Sequence, residues 1–140
     1  MGSSNLSSVS PFQILYVSQL ADGVDFGVVK DIVRASRAHN PVRGITGALL
    51  FDGERFCQLL EGSESEVVSL MLRIERDARH VAIRRLHSGE ASAHAMRSWR
   101  SGYCESAHDL DAFDGAHGPA GTGAGAINAF VALARTADLE

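Results

Sequence analysis

Between Ile45 and Leu60 the chain carries two apolar runs, Ile45 to Phe51 and Arg55 to Leu60, joined at Asp52-Gly53. Asp-Gly is a characteristic turn of a tight hairpin, and two strands this apolar in a short chain must lie at the centre of a sheet. The second strand holds a polar exception. A period of two puts Phe56, Gln58 and Leu60 on one face, so an amide with two donors and two lone pairs sits between two hydrophobes and needs partners. Just upstream, Pro41 cannot continue a helix and pushes Asn40 toward extended geometry, so Asn40 marks the end of a preceding helix. Two amides facing one cavity would offer a fixed set of donors and acceptors suited to a planar heterocycle with carbonyls and ring nitrogens. On these residues alone the alternative stays open: Gln58 bonding a neighbouring backbone and Asn40 capping its own helix.

The 140 residues, 45% hydrophobic and 21% charged, suffice for one compact domain with a sizeable core and a short appendage. A formal net charge of -4 argues against a general nucleic-acid binder, which needs a basic surface. No apolar run approaches the length of a membrane span, and residues 1 to 10 lack the basic start and apolar core of a signal peptide, so a cytoplasmic protein is expected. Cys57 and Cys104 are too few for a disulfide scaffold and are expected to be reduced. The sequon at Asn5-Leu6-Ser7 has no meaning without secretion.

In chain order, residues 1 to 11 read as a disordered start, and Phe12 to Ser18 as a strand with Phe12, Ile14, Tyr16 and Ser18 on one face. Tyr16 is thus an inward phenol, which ordinarily just donates to a nearby acceptor. Val28, Val29, Ile32 and Val33 keep helical spacing over residues 24 to 39, and the stripe then turns polar at Ser36, His39 and Asn40. After the hairpin, Ser63 with Glu66 three residues on forms a capping box for a second helix to about Asp77, with Val67, Leu70, Met71 and Ile74 buried. Val81 to Gly89 and Met96 to Tyr103 read as strands. The order strand, helix, strand, strand, helix, strand, strand predicts an α+β, ferredoxin-like sandwich in which the first and third strands are neighbours, bringing Tyr16 beside Gln58. Residues 104 to 140 read as an extension: a helical candidate from His108 to Phe113, a glycine-rich run, then a helix with Ile127, Phe130, Val131 and Ala134 on one face. That helix needs a surface, either the open face of the sheet or another subunit.

Other constellations carry less. His80, His87 and His94 recur every seven residues, but on strands an odd spacing alternates faces, so a shared metal is not expected. The glycines near residue 120 lack the Lys-Ser/Thr of a phosphate loop. Arg73, Arg76, Arg79, Arg84 and Arg85 form a basic cluster, ordinarily a solvated face, though Arg79 and His80 at a helix end have the donors to hold a phosphate.

Tyr16-x-Ser18, Ala38-His39-Asn40, Ile45-Thr46-Gly47 with Leu49, Phe56-x-Gln58-x-Leu60-Glu61-Gly62, Arg76-Asp77-x-Arg79-His80 and Trp99 together resemble the BLUF domain, a family of blue-light sensors that bind a flavin, over roughly residues 12 to 103. The resemblance implies FAD, with FMN or riboflavin as alternatives. It makes Tyr16 the electron and proton donor to the excited flavin and Gln58 the amide whose hydrogen bonds switch, by rotation or tautomerisation. Asn40 would hold the polar edge of the ring, Ile32, Ser36, His39, Ile45 and Phe56 the slot, and Arg79 and His80 the phosphates. Trp99 and the residue two beyond it would relay the change to the last strand. The family commonly has Met there; this chain has Ser101. The expectation is a photoswitch without turnover: a short stand-alone photoreceptor, not an enzyme, acting through a downstream signalling protein or its own oligomer. A flavin-dependent redox enzyme and an interaction module that has lost flavin are the competing readings.

Overall fold

The computed structural model describes residues 10–104, 109–114 and 118–139. Its elements are β1 (Phe12–Leu20), α1 (Phe26–His39), a 3-10 turn (Pro41–Arg43), β2 (Thr46–Phe51), β3 (Arg55–Gly62), α2 (Glu64–Glu75), β4 (His80–Glu90), β5 (Trp99–Tyr103), a second 3-10 turn (Asp111–Phe113), α3 (Gly123–Thr136) and β6 (Asp138–Leu139). The strands form one sheet in the order β4-β1-β3-β2-β5-β6, an α+β arrangement with ferredoxin-like topology over its first four strands. β5 runs parallel to β2, and every other pair is antiparallel.

Local chemistry explains the element ends. Asp25 caps α1 by accepting from the Val28 N–H, and Ser63 caps α2 by accepting from the Glu66 N–H. At the far end of α1 Asn40 is not extended, as Pro41 alone suggests, but keeps helical angles (φ -65°, ψ -44°) with its N–H still donating to the Ser36 carbonyl, because the chain continues into a 3-10 turn at Pro41 that closes on Gly44, whose φ of 72° needs a glycine. Asp52 organises the hairpin by accepting from the backbone N–H groups of Glu54 and Arg55. Gly47 is required for a different reason: a Cβ there would lie 2.0 Å from the Leu59 carbonyl oxygen, so only glycine lets β2 lie this close to β3.

Helices α1 and α2 cover one face of the sheet. Their buried residues Val29, Val33, Val67 and Met71 pack on Ile14, Tyr16, Leu49, Phe56 and Leu60. The opposite face is a second core. Ala126, Ile127, Phe130 and Ala134 of α3, with Leu110 and Phe113, pack on Leu15, Ala48, Leu50, Leu59 and Leu86. Of the two docking surfaces open to the last helix, the sheet is the one it takes here. The 3-10 turn covers the end of the helical candidate at His108 to Phe113, of which His108 lies outside the described residues, as do the sequon and nearly all of residues 1 to 11.

Deleting residues 115 to 140 is therefore expected to uncover the leucines of that face. Phe130 is fully buried, and losing a buried Phe alone costs about 3–5 kcal/mol. The expected result is a much lower denaturation midpoint together with self-association in size-exclusion with light scattering. A monodisperse truncated chain of unchanged stability would count against this packing.

Candidate functional site

The slot between α1 and α2 follows from how each helix distributes its stripe. Val29 and Val33, and Val67 and Met71, go fully under the helices, while Ile32 and Ser36 of α1 and Leu70 and Ile74 of α2 stay half-buried and face each other. Between them lies an open-mouthed cavity with about 460 Å³ of empty space, floored by Tyr16, Leu49, Phe56 and Gln58 and bounded by Asn40, Asp77 and His80. It adjoins an outer cavity lined by His39, Arg43, Arg73 and Arg79, and the two share Ile32, Ser36, Asn40, Leu70, Ile74 and Asp77.

On the floor, Tyr16 and Gln58 are direct cross-strand partners, and the Tyr16 hydroxyl donates to Gln58 Oε1. Nothing among the described residues bonds Gln58 Nε2 or the Asn40 side-chain amide, although both residues are only 3% exposed and line the cavity. Their remaining donors and acceptors thus face the slot, a set that fits the polar edge of a planar ring with carbonyls and ring nitrogens. Asn40 does close its helix, but through its backbone, which leaves its amide for the cavity.

Burial pushes the Tyr16 phenol well above its ordinary value, with the Cys57 thiol and Asp77 carboxylate adding in the same direction. The hydroxyl therefore keeps its proton before any electron leaves the ring, and an electron lost from it makes that proton acidic toward Gln58 Oε1. The sign for stability follows. A phenol that ionises less readily folded than unfolded contributes fully below the unfolded value of about 10, and that contribution is lost as pH rises beyond it. In an alkaline titration followed by phenolate absorbance, one of the chain's two tyrosines is expected to stay neutral until the protein unfolds. Two phenolates in the folded protein would contradict the burial of Tyr16.

His80 lines the inner cavity and is not among the residues that line the outer one with Arg79. Its Nε2 is 2.6 Å from the Ile74 carbonyl oxygen, which can only accept, so Nε2 carries the proton, and Nδ1 takes the Ser18 hydroxyl at 2.8 Å. Its ring meets Tyr16 and Phe56 edge-on, at centroid distances of 6.2 and 6.3 Å. Arg79 does reach the rim, but its guanidinium is paired with Asp77 at 2.6 Å, which holds the Asp77 carboxyl below and the Arg79 group above their ordinary values. The exposed His39 lies in the outer cavity, with Arg43 and Arg73, which were not among the expected site residues. Ile45, Trp99 and Ser101 do not line either cavity. Ile45 and Trp99 belong to the core beneath the helices, and the Trp99 indole N–H is buried without a partner among the described residues. Ser101 Oγ accepts from the Arg37 guanidinium at 3.1 Å.

One polar centre was not anticipated. Glu61, fully buried on β3, accepts from Gln13 Nε2 (2.8 Å) and Thr46 Oγ1 (3.1 Å), and from the backbone N–H groups of Ala95 (2.6 Å) and Met96 (2.9 Å). It ties β1, β2 and the segment before β5 together. An acid inside an otherwise buried strand was the available signal.

Residues 12–102 match the family described as sensors of blue light using FAD, BLUF. The chain belongs to the BLUF family. It is 40% identical over 67 residues to photoactivated adenylate cyclase subunit alpha of Euglena gracilis, a match covering 48% of this chain and 7% of that protein. It is 34% identical over 70 residues to the blue light- and temperature-regulated antirepressor BluF of Escherichia coli, covering 50% of this chain and 17% of the relative. The chain thus spans a small part of these curated BLUF relatives. The dark-state structure of BlrB, a BLUF protein, superposes with a TM-score of 0.73 at 27% identity, over 91% of this chain and 98% of that one. The BLUF match ends at Gly102, so α3 and β6 lie outside it, while the BlrB match extends across most of the chain.

Proposed function

We propose that this chain is a blue-light photoreceptor that holds a flavin between α1 and α2 and signals through the hydrogen bonds of Tyr16 and Gln58. One observation carries the reading: the Tyr16 hydroxyl is bonded to Gln58 Oε1, while Gln58 and Asn40 line the cavity with Gln58 Nε2 and the Asn40 side-chain amide unbonded among the described residues. A bound flavin would supply absorption of blue light and an acceptor for an electron. Tyr16 is the donor: its electron would go to the flavin and its proton toward Gln58 Oε1, and both return to the tyrosine, so that no net redox change remains. Gln58, the group that accepts the Tyr16 hydrogen bond, is the one that reorients or tautomerises, so the donors offered to the ring edge change and nothing leaves the site. Asn40 fixes the ring edge, Ile32, Ser36 and Phe56 hold its faces, and the bonds of His80 to Ser18 and Ile74 keep the floor rigid. His39, Arg43, Arg73 and Arg79 around the outer cavity favour a phosphate-bearing flavin, FAD or FMN, over riboflavin.

The signal passes to a downstream protein or to a second copy of the chain, in the cytoplasm, without catalytic turnover and without nucleic acid as the direct target. No helix among the described residues is long and apolar enough to cross a membrane. The test is an absorption spectrum of the purified protein before and after blue light. The expected result is a yellow protein whose spectrum shifts to the red in light and returns in the dark, and whose pigment is released on denaturation. A colourless protein would favour an interaction module, consumption of a nicotinamide cofactor with turnover would favour a redox enzyme, and pigment remaining on the precipitated chain would exclude non-covalent binding.

A further inference from the structure

The strand registers place four residues in one row across the sheet: Tyr16 opposite Gln58, Gln58 opposite Leu49, and Leu49 opposite Ser101. Cross-strand partners share a face, here the face under α1 and α2. The row therefore begins at the proposed switch and ends on β5 at a fully buried hydroxyl. There the Ser101 Oγ accepts a hydrogen bond from Arg37, 3.1 Å away on α1. Arg37 is itself largely exposed, and it follows Ser36, which lines the cavity, while Asn40, one turn nearer the helix end, also lines it. The pair thus bridges two elements that both border the switch: α1, through its polar end, and β5, through Leu49.

We infer that Arg37 and Ser101 are positioning residues of the photoswitch, a polar link that fixes β5 against α1 in the resting arrangement and hands a change at Gln58 to the surface of α1. A serine in place of the thioether common in the family suits this role. A hydroxyl makes one directional bond whose making and breaking is all or none, whereas a flexible thioether repacks by degrees. In the arrangement described here, Tyr16 donates to Gln58 Oε1 and the link is made. If the row shifts when Gln58 rebonds, the link is the contact at its far end that must yield. Its presence then favours return to rest.

The inference rests on the flavin reading and is tested apart from it on the full-length chain with Ser101→Ala, Arg37→Gln, the double variant and Arg37→Lys. In urea unfolding of the flavin-free chain, followed by the fluorescence of Trp99, its one tryptophan, Ser101→Ala and Arg37→Gln are expected to raise the unfolding constant non-additively, as bonded partners do. In the flavin-loaded chain, dark recovery after illumination is expected to slow by roughly threefold to tenfold in either single variant and no further in the double, the range of one hydrogen bond. Arg37→Lys, which can still donate, should restore most of the rate. Additive unfolding effects, a recovery that is unchanged or faster in Arg37→Gln, or no rescue by Lys would each overturn the inference while leaving the switch standing. Absence of any light-induced shift in the unaltered protein would overturn the flavin reading and this role with it.

Discussion

Replacing Tyr16 with Phe is expected to abolish the light-induced red shift completely while leaving flavin bound. The substitution keeps the ring that floors the cavity and removes only the hydroxyl, which is both the proton to be transferred and the group bonded to Gln58 Oε1. Gln58→Leu should be equally silent for the opposite reason: the donor remains but nothing can change its bonding. Each variant strands one buried polar group, Gln58 Oε1 or the Tyr16 hydroxyl, at a cost of about 1–3 kcal/mol. That is small enough for both proteins to fold and take up pigment. Asn40→Ala separates binding from switching. It removes ring-edge bonds of about 1 kcal/mol or more each, so it should weaken flavin retention by about fivefold or more while any pigment that stays still shifts. A normal photocycle in Tyr16→Phe would remove the tyrosine from the mechanism.

The largest effect on folding is expected at Glu61, away from the cavity. Alanine there would leave Gln13 Nε2, Thr46 Oγ1 and the N–H groups of Ala95 and Met96 without the fully buried carboxylate that accepts from them. A buried donor left without its acceptor costs about 1–3 kcal/mol, so losing the acceptor shared by these groups removes a large part of the roughly 5–15 kcal/mol that holds a domain of this kind together. Glu61→Gln should fall between, since its carbonyl oxygen still accepts but its amide nitrogen turns a donor toward other donors. Chemical denaturation of the three proteins checks this, with the order wild type, Gln, Ala expected in midpoint. Equal midpoints for wild type and Ala would mean that the four donors find other acceptors.

Much of this was legible in the residues. Asp52-Gly53 placed the hairpin, Ser63 placed the start of α2, and Pro41 placed the end of α1. The alternation through Phe56, Gln58 and Leu60 put the amide on the correct face, and the element order put Tyr16 next to it. What was not legible depends on register and on long-range partners. The place of His80 beside Arg79 does not reveal that its ring lines the inner cavity while Arg79 lines the outer one. β4 takes two more residues than β1 over the span from Leu15 to Leu20, and Ala82 there has a φ of 55°. Irregular pairing of this kind decides where the start of β4 points, and no period of two reveals it. Glu61 was hidden because its donors come from residues 13, 46, 95 and 96. The surface taken by α3 was undecidable from an apolar stripe alone, since the stripe does not say which face it meets.

The short strand β6 changes what that last helix can do. A helix on a glycine-rich tether with a loose far end could peel away from its sheet for little more than the cost of freeing one chain end. Here the residues that follow α3 pair with β5, Leu139 opposite Gly102 and Asp138 opposite Tyr103, so the helix is buckled at its far end to the strand that carries Trp99 and Ser101. Lifting it requires unfastening that pairing as well as the apolar contact. The segment is therefore fastened to β5 at its far end as well as to the sheet along its face: a displacement of β5 would reach α3 through this pairing, and a partner that held α3 would act back on β5 by the same connection.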